Sequence, residues 1–415
     1  MTIRPSLCLA ALAALCVASG SAAQEGPRLT ISGYGTAGIV HSSEEHADYV
    51  IDQFKPNGPG ATRRWSADVD SRIGLQLTAE LVPRVTAVAQ VVSQQRYDNS
   101  YEPVLEWANV KWQATPDLSV RAGRIVLPIF MVTDSRKIGY SNPWVRPPVE
   151  VYYMVPITST DGVDASWRRT FGGVTHTLQA TLGRADAKFP PQPSIGSGVA
   201  KVRDILAAVY TYERGFFTGR VNYGQAKLTI EQYDPLFAGF RQFGPPGAAI
   251  ADRYDLHGRK ADFVGVGISY DAGAWFAVGE WAHFDTHSIV GAKQAWYASG
   301  GYRVGTVTPY ATYARIQPDG STSDPGLPLA GLPPQLAAAG AQLNALLNAQ
   351  LSVVPRQATW SAGIRWDFLR NAAIKLQWDR VRRADGSVGT FANLQPGFGP
   401  GGTANLVSAA VDFVF

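Results

Sequence analysis

The strongest constraint on the fold of this chain is an alternation of apolar and polar residues that recurs in segments of about ten residues. Residues 356–368 show it fully: the apolar set is Ala358, Trp360, Ala362, Ile364, Trp366 and Phe368, and the set between them is Gln357, Thr359, Ser361, Gly363, Arg365 and Asp367. A period of two belongs to a β-strand with one apolar and one polar face. The pattern therefore predicts strands and excludes helices for these segments.

The composition of the two faces indicates which solvent each one meets. The apolar faces carry rows of Trp, Leu and Val, and the polar faces carry Thr, Ser, Gln, Gly and Arg. A soluble two-sheet sandwich would instead expose Lys and Glu on its outer face. Only 17% of residues are charged, yet no segment after the N-terminus approaches the roughly 20 apolar residues of a spanning helix. We therefore predict an all-β fold, a transmembrane antiparallel β-barrel, which pairs every backbone group within lipid.

The number of alternating segments is sixteen, an even number as expected for a single-chain bacterial barrel. The predicted strands are 29–41, 67–82, 84–96, 104–114, 118–126, 161–170, 174–185, 201–213, 216–231, 260–271, 274–287, 291–303, 306–317, 356–368, 371–384 and 404–415. Tight turns alternate with longer loops, which predicts one rim of turns and one rim of surface loops. The register is least certain in 201–231 and 274–303, where both faces carry aromatic or charged residues.

The N-terminus reads as a signal peptide, residues 1–23, with Arg4 before an apolar run at 7–17 and Ser-Ala-Ala at 21–23. Both cysteines, Cys8 and Cys16, lie in this leader, so no disulfide is expected in the barrel domain, residues 24–415. The chain has 37 basic and 33 acidic residues, too small an excess to indicate nucleic-acid binding.

The chain resembles the sixteen-stranded trimeric porins of the Gram-negative outer membrane, as a divergent member. Three features carry the resemblance: residues 29–35 (LTISGYG), a long loop after the fifth strand, and the C-terminal Phe415. The resemblance implies passive diffusion of small hydrophilic solutes, a homotrimer, contact with outer-membrane lipid and lipopolysaccharide, and no cofactor. It also implies that Phe415 is the assembly signal recognised by the barrel-insertion machinery.

The loop at 127–160 lies where such porins fold a segment back into the lumen, so we predict that it is the pore constriction. Its charged residues are Asp134, Arg136, Lys137, Arg146 and Glu150, a net charge of plus one. The loop lacks the acidic tip motif of many porins, so selectivity does not carry over from the family. Arg72, Arg96, Arg121 and Arg124 are the predicted basic residues of the pore wall. Together these charges predict a mild preference for anions, unless Arg136 and Arg146 merely pair with Asp134 and Glu150.

No enzymatic activity and no metal site is predicted, because the six histidines are scattered and no catalytic motif is evident. A loop at 318–355 contains leucines at helical spacing after Pro333 and Pro334, which predicts a surface helix. Two alternatives to general diffusion stay open. One is a substrate-specific channel, for example for organic acids, and the other is a barrel scaffold that acts through its surface loops.

Overall fold

The computed structural model describes residues 28–192 and 196–415, so the predicted signal peptide lies outside the described residues. Sixteen long strands form this part of the chain, and we number them β1–β16: Arg28–Ser42, Arg72–Val82, Val85–Gln94, Val104–Gln113, Leu118–Val126, Ser159–Phe171, Val174–Gln192, Gly196–Arg214, Phe217–Thr229, Arg259–Asp271, Trp275–Asp285, Ala292–Tyr302, Val307–Pro318, Gln357–Leu369, Ala372–Arg383 and Gly402–Val414. The predicted all-β class and the number of strands are confirmed.

Each strand pairs antiparallel with the next, and β16 returns to pair with β1. In this closing pair Tyr34 lies opposite Val414 and Ser42 opposite Leu406. Closure removes the free edges that would leave backbone N–H and C=O groups unpaired in a bilayer. The chain is therefore a closed antiparallel β-barrel, with both ends of the described chain at the rim of tight turns.

The exposure of side chains follows the predicted alternation. Ile73 in β2 and Trp360 and Trp366 in β14 are 52%, 59% and 48% exposed, on the outer face. Thr312 in β13 and Asp412 in β16 are buried on the inner face. An apolar outside and a polar inside suit a barrel that stands in lipid and encloses water.

Two local predictions were wrong. The loop expected at 186–200 is a hairpin extension, because β7 and β8 continue their ladder beyond the alternating part, with Lys188 opposite Val199. Aromatic residues near strand ends, Trp107 among them, predict a girdle on the outer face, but an irregularity between β3 and β4 places Trp107 opposite Gln90, which is 3% exposed on the inner face. One extra residue in a strand reverses the face of the residue that follows it.

The described connections contain four α-helices, which we number α1 (Val149–Tyr152), α2 (Asp234–Arg241), α3 (Gly244–Tyr254) and α4 (Pro334–Leu351). The last of these lies in the loop for which a surface helix was predicted. Phe237, Phe240, Leu347 and Leu351 form an apolar cluster that joins α2 and α4 at the loop rim. No helix in the described part of the chain has the length and apolar character that crossing a bilayer requires.

The seam between β1 and β16 depends on glycine. Backbone hydrogen bonds of 2.9 and 3.0 Å join Gly33 to the terminal Phe415, and the phenyl ring of Phe415 lies over Gly33. A Cβ atom at Gly33 would overlap this ring, and one at Gly35 would overlap the ring of Phe413. The glycines of the LTISGYG segment therefore leave space for the two C-terminal aromatic rings.

We predict that Gly33→Leu weakens this seam by about 1–3 kcal/mol, because the added side chain displaces the Phe415 ring. The measurement is the fraction of heat-modifiable, folded barrel in gel electrophoresis after refolding. Gly224→Ala in β9 is the control, since its added Cβ would meet no atom closer than 3.6 Å. Equal folded fractions for the two variants would show that the seam tolerates a side chain at Gly33.

Candidate functional site

We call residues 127–158, the segment between β5 and β6, the inner loop, because this segment contacts the polar inner face of the barrel. Trp144 donates from Nε1 to Ser299 Oγ at 2.8 Å and to Thr312 Oγ1 at 3.1 Å. Lys375 in β15 donates from Nζ to the carbonyl oxygen of Trp144 at 2.8 Å. These strands lie far from β5 in sequence order, so the inner loop crosses to the opposite wall.

Arg146 is the main charged attachment of the inner loop. Its guanidinium donates to both carboxylate oxygens of Asp70 at 2.9 and 2.6 Å, to Asp379 at 3.1 Å and to Ser408 Oγ at 2.7 Å. Burial lowers the pKa of Arg146, but the groups around it, with Asp70 the foremost, together raise it more, so the pKa lies above its ordinary value. Arg146 is 4% exposed, which makes this a buried charge network that fixes loop to wall.

Glu150 in α1 does not pair with Arg146. Its Oε1 accepts hydrogen bonds from Gln357 Nε2 at 2.8 Å and from the hydroxyl of Thr359. Burial raises the pKa of the Glu150 carboxyl, and these hydrogen bonds oppose the rise only in part. Glu150 therefore contributes an attachment to the wall and little negative charge to solvent.

Arg136 and Lys137 have different partners. Arg136 donates to the carbonyl oxygens of Tyr152 at 2.7 Å and Val155 at 3.2 Å, and its guanidinium lies 5.2 Å from the centre of the Tyr152 ring. Lys137 forms an ion pair with Glu106 in β4 at 2.5 Å. Asp134 is exposed and pairs with neither residue. The charge of Lys137 is thus balanced by the wall, whereas Arg136 donates to carbonyl oxygens and has no carboxylate within 4.0 Å among the described residues.

A basic cluster forms where the inner loop faces β2, and it consists of Lys55, Arg72, Arg136 and Lys137. Lys55 is 8% exposed and donates to the carbonyl oxygen of Gln95. The pKa of Lys55 is lowered to about 8, mainly by burial and to a smaller extent by the charges of Arg72, Lys137 and Arg136, against the opposing effect of Asp52. Lys137 is balanced by Glu106, so the positive potential at this point comes from Arg72, Arg136 and the protonated form of Lys55, opposed by Asp52.

Of the four arginines predicted in the wall, Arg72 and Arg121 have inward positions. Arg72 lies on the polar face of β2 and donates from Nε to the carbonyl oxygen of Asp70 at 3.0 Å. Arg121 donates from Nε to the buried Asp164 in β6 at 2.9 Å, so its charge is balanced.

Arg124 and Arg96 do not line the inner wall. Arg124 pairs with Asp161 at 2.7 Å and donates to the carbonyl oxygen of Leu105. Asp161, the cross-strand neighbour of Arg124, is on the same face of β6 as the exposed Val163, which is the outer face. Arg121 and Arg124 are three residues apart, and such residues cannot share a face of one strand. Arg96 lies beyond β3 in a turn, where it pairs with Glu102.

Several charged residues of the site were not predicted. Arg220 in β9 donates from Nη2 to the carbonyl oxygen of Pro128 at 3.2 Å, and its Nε has no partner among the described residues. Its strand was in the stretch of uncertain register. Lys55 lies in a surface loop between β1 and β2. Loops have no periodic alternation of apolar and polar residues from which an inward side chain could be predicted. Asp70 and Asp379 were not predicted either, and their role follows from the hydrogen bonds that they accept from Arg146.

We predict that Arg146→Met destabilises the barrel by about 3–5 kcal/mol, because it leaves Asp70 and Asp379 buried without their cation. The matched control is Glu150→Gln, which keeps an acceptor oxygen for Gln357 and Thr359 and should cost less than about 1 kcal/mol. The effect of each substitution on stability is measured as the shift of the midpoint temperature of thermal unfolding in detergent. Equal midpoints for the two variants would refute the central role of Arg146.

Comparison with known proteins gives results at the level of family and of fold. A family model of Gram-negative porins matches residues 10–413. A search of curated protein sequences finds no match. The outer-membrane channel DcaP of Acinetobacter baumannii shares the fold with a TM-score of 0.54 at 11% identity, over 96% of this chain and 100% of that one.

Two further solved structures have the same fold. An anion-selective porin of Comamonas acidovorans gives a TM-score of 0.53 at 13% identity, with 94% of this chain and 100% of that chain covered. The trimer form of OmpT, an outer-membrane protein of Vibrio cholerae, gives 0.51 at 8% identity, with 94% and 100% covered. The family match spans nearly the whole chain, so this protein belongs to the Gram-negative porin family and is a diffusion channel of the outer membrane.

Proposed function

We propose that the channel is water-filled, is narrowed by the inner loop, and passes small hydrophilic solutes with a mild preference for anions. The observation that carries this proposal is a set of inward cations without a carboxylate partner, Arg72, Arg136 and Arg220, with Lys55 near the first two. Passage is passive, so the proposal assigns no enzymatic reaction and no cofactor to the chain.

The preference for anions follows from which charges have partners. Arg146, Lys137 and Arg121 are each paired with a carboxylate. Arg72, Arg136 and Arg220, in contrast, donate only to backbone carbonyl oxygens and have no carboxylate within 4.0 Å among the described residues. The Debye length is about 8 Å at physiological salt, so a cation beside a narrow path acts on a passing ion with little screening.

The proposal also includes the molecules with which the chain associates in the membrane and during assembly. We propose a homotrimer, on the basis of family membership and of the trimer form of the OmpT structure. The apolar outer face would contact outer-membrane lipid and lipopolysaccharide. Phe415, which is 60% exposed on that face, would be recognised by the barrel-insertion machinery during assembly.

Planar-bilayer recording of the purified protein tests the function directly. A channel for general diffusion gives defined unitary conductance steps in KCl. A preference for anions gives, in a KCl gradient, a reversal potential with the sign of the chloride equilibrium potential. Absence of conductance from correctly folded protein would favour the alternative of a scaffold that acts through the loops at 42–66, 232–259 and 318–355.

We predict that Arg72→Gln lowers the anion-to-cation permeability ratio roughly two- to fivefold, since a unit charge about 4 Å from a path in water contributes about 1 kcal/mol. Arg124→Gln is the matched control, because Arg124 lies on the outer face. Reversal potentials of the two variants in the same salt gradient make the comparison. A larger effect of Arg124→Gln would place the selective charges elsewhere.

We also predict that anion preference decreases as pH rises from 7 to 9. Lys55 has a pKa lowered to about 8, so it is mostly protonated at pH 7 and mostly neutral at pH 9. Raising the pH thus removes a positive charge from the basic cluster. Lys55→Met should show the weaker preference already at pH 7 and a flatter pH profile of the reversal potential. The same pH dependence in Lys55→Met and in the unmodified protein would exclude Lys55 as its cause.

A further inference from the structure

A cavity of about 760 Å³ lies between the inner loop and the surface loops, at the loop rim of the barrel. Its walls are mostly apolar, and Ile129, Ile205, Leu228, Phe263, Phe284 and Val353 are representative. This volume is in the range of small-molecule binding sites, which are mostly apolar with a few placed polar groups. An apolar chamber of this kind is not needed for the diffusion of hydrophilic solutes.

Lys293, at the start of β12, lines the cavity and is 2% exposed. Its Nζ lies 5.3 Å from the centre of the Phe284 ring. In the described ranges, it has no hydrogen-bond acceptor and no carboxylate within 4.0 Å. A buried ammonium group without a counter-charge is costly, and a ligand that brings a carboxylate would offset that cost.

The charges of the lining are few and unequal. Lys55 and Lys293 are its cations, and Asp52 is its acid. Asp52 raises the pKa of Lys55, which burial lowers, whereas no carboxylate of the described residues lies within 4.0 Å of Lys293 Nζ. The lining therefore has one uncompensated cation, surrounded by aromatic and branched aliphatic side chains.

We propose that this cavity binds amphipathic monocarboxylates, meaning molecules with one carboxylate and a compact apolar body, and that Lys293 binds the carboxylate. The inference rests on the proposed function, since it names a class of solute for the same channel. An inorganic anion would satisfy the ammonium group but would leave the apolar walls in contact with water. A neutral apolar molecule would fill the cavity and leave Lys293 unpaired.

Three probes separate these contributions: benzoate has both features, acetate has the charge alone, and benzyl alcohol has the ring alone. Titration calorimetry on the folded protein in detergent should show saturable binding of benzoate, at least tenfold tighter than that of either other probe. Lys293→Gln should weaken benzoate binding about tenfold, the size of effect expected for loss of a charge-assisted hydrogen bond. Lys293→Met places an apolar side chain among apolar neighbours and should have the same effect in a well-folded barrel.

Lys227→Gln is the matched control, because Lys227 is near the same rim but pairs with Asp204 at 2.8 Å in solvent. It should bind benzoate as the unmodified protein does. Equal affinity for benzoate and acetate, or unchanged benzoate affinity in both Lys293 variants, would overturn the proposal. Unitary conductance in KCl is recorded separately, so loss of the channel function and loss of the binding site give different results.

Discussion

The requirement that every backbone hydrogen-bonding group be paired within the bilayer determines the rest of this structure. The pairing of β1 with β16 meets that requirement by closing the sheet, and it fixes the register in which Tyr34 lies opposite Val414. Once the register is fixed, alternate residues of each strand face inward. The glycines at 33 and 35 take part in this closure because they accommodate the rings of Phe415 and Phe413.

The position of the inner loop follows from the inward face that closure creates. Polar and charged groups on the inner side, including Ser299, Asp379 and Ser408 in the strands and Asp70 just before β2, are the surface available to a loop that enters the barrel. Arg146 and Trp144 bind this surface through hydrogen bonds, which have directional preferences that apolar packing lacks. A loop held in this way has a defined position, which a size-selective path requires.

Alternation alone was sufficient to predict the class of fold and the sixteen strands, because a period of two is a local property of the sequence. The contacts of the site were beyond such reasoning. Arg146 and Asp70 are 76 positions apart, and Arg146 and Asp379 are 233 apart, so nothing local links them. Arg124 shows how parity could have been applied more strictly, since its odd spacing from Arg121 already separates the two faces. Trp107 depends on an irregularity between two strands, which the sequence does not reveal.

The sign of the charge around the path depends on pairing more than on composition. The inner loop has a net charge of plus one by counting residues, but Arg146 and Lys137 are balanced by Asp70, Asp379 and Glu106, which lie outside the loop. Glu150 is a buried hydrogen-bond acceptor for Gln357 and Thr359, and burial raises the pKa of its carboxyl. The cations without a carboxylate partner are Arg136, Arg72 and Arg220, and Lys55 lies near the first two, with Asp52 opposing its charge. The count of loop charges and the pairing of site charges are thus different physical arguments about ion selectivity, and only the second names the residues on which the proposed anion preference depends.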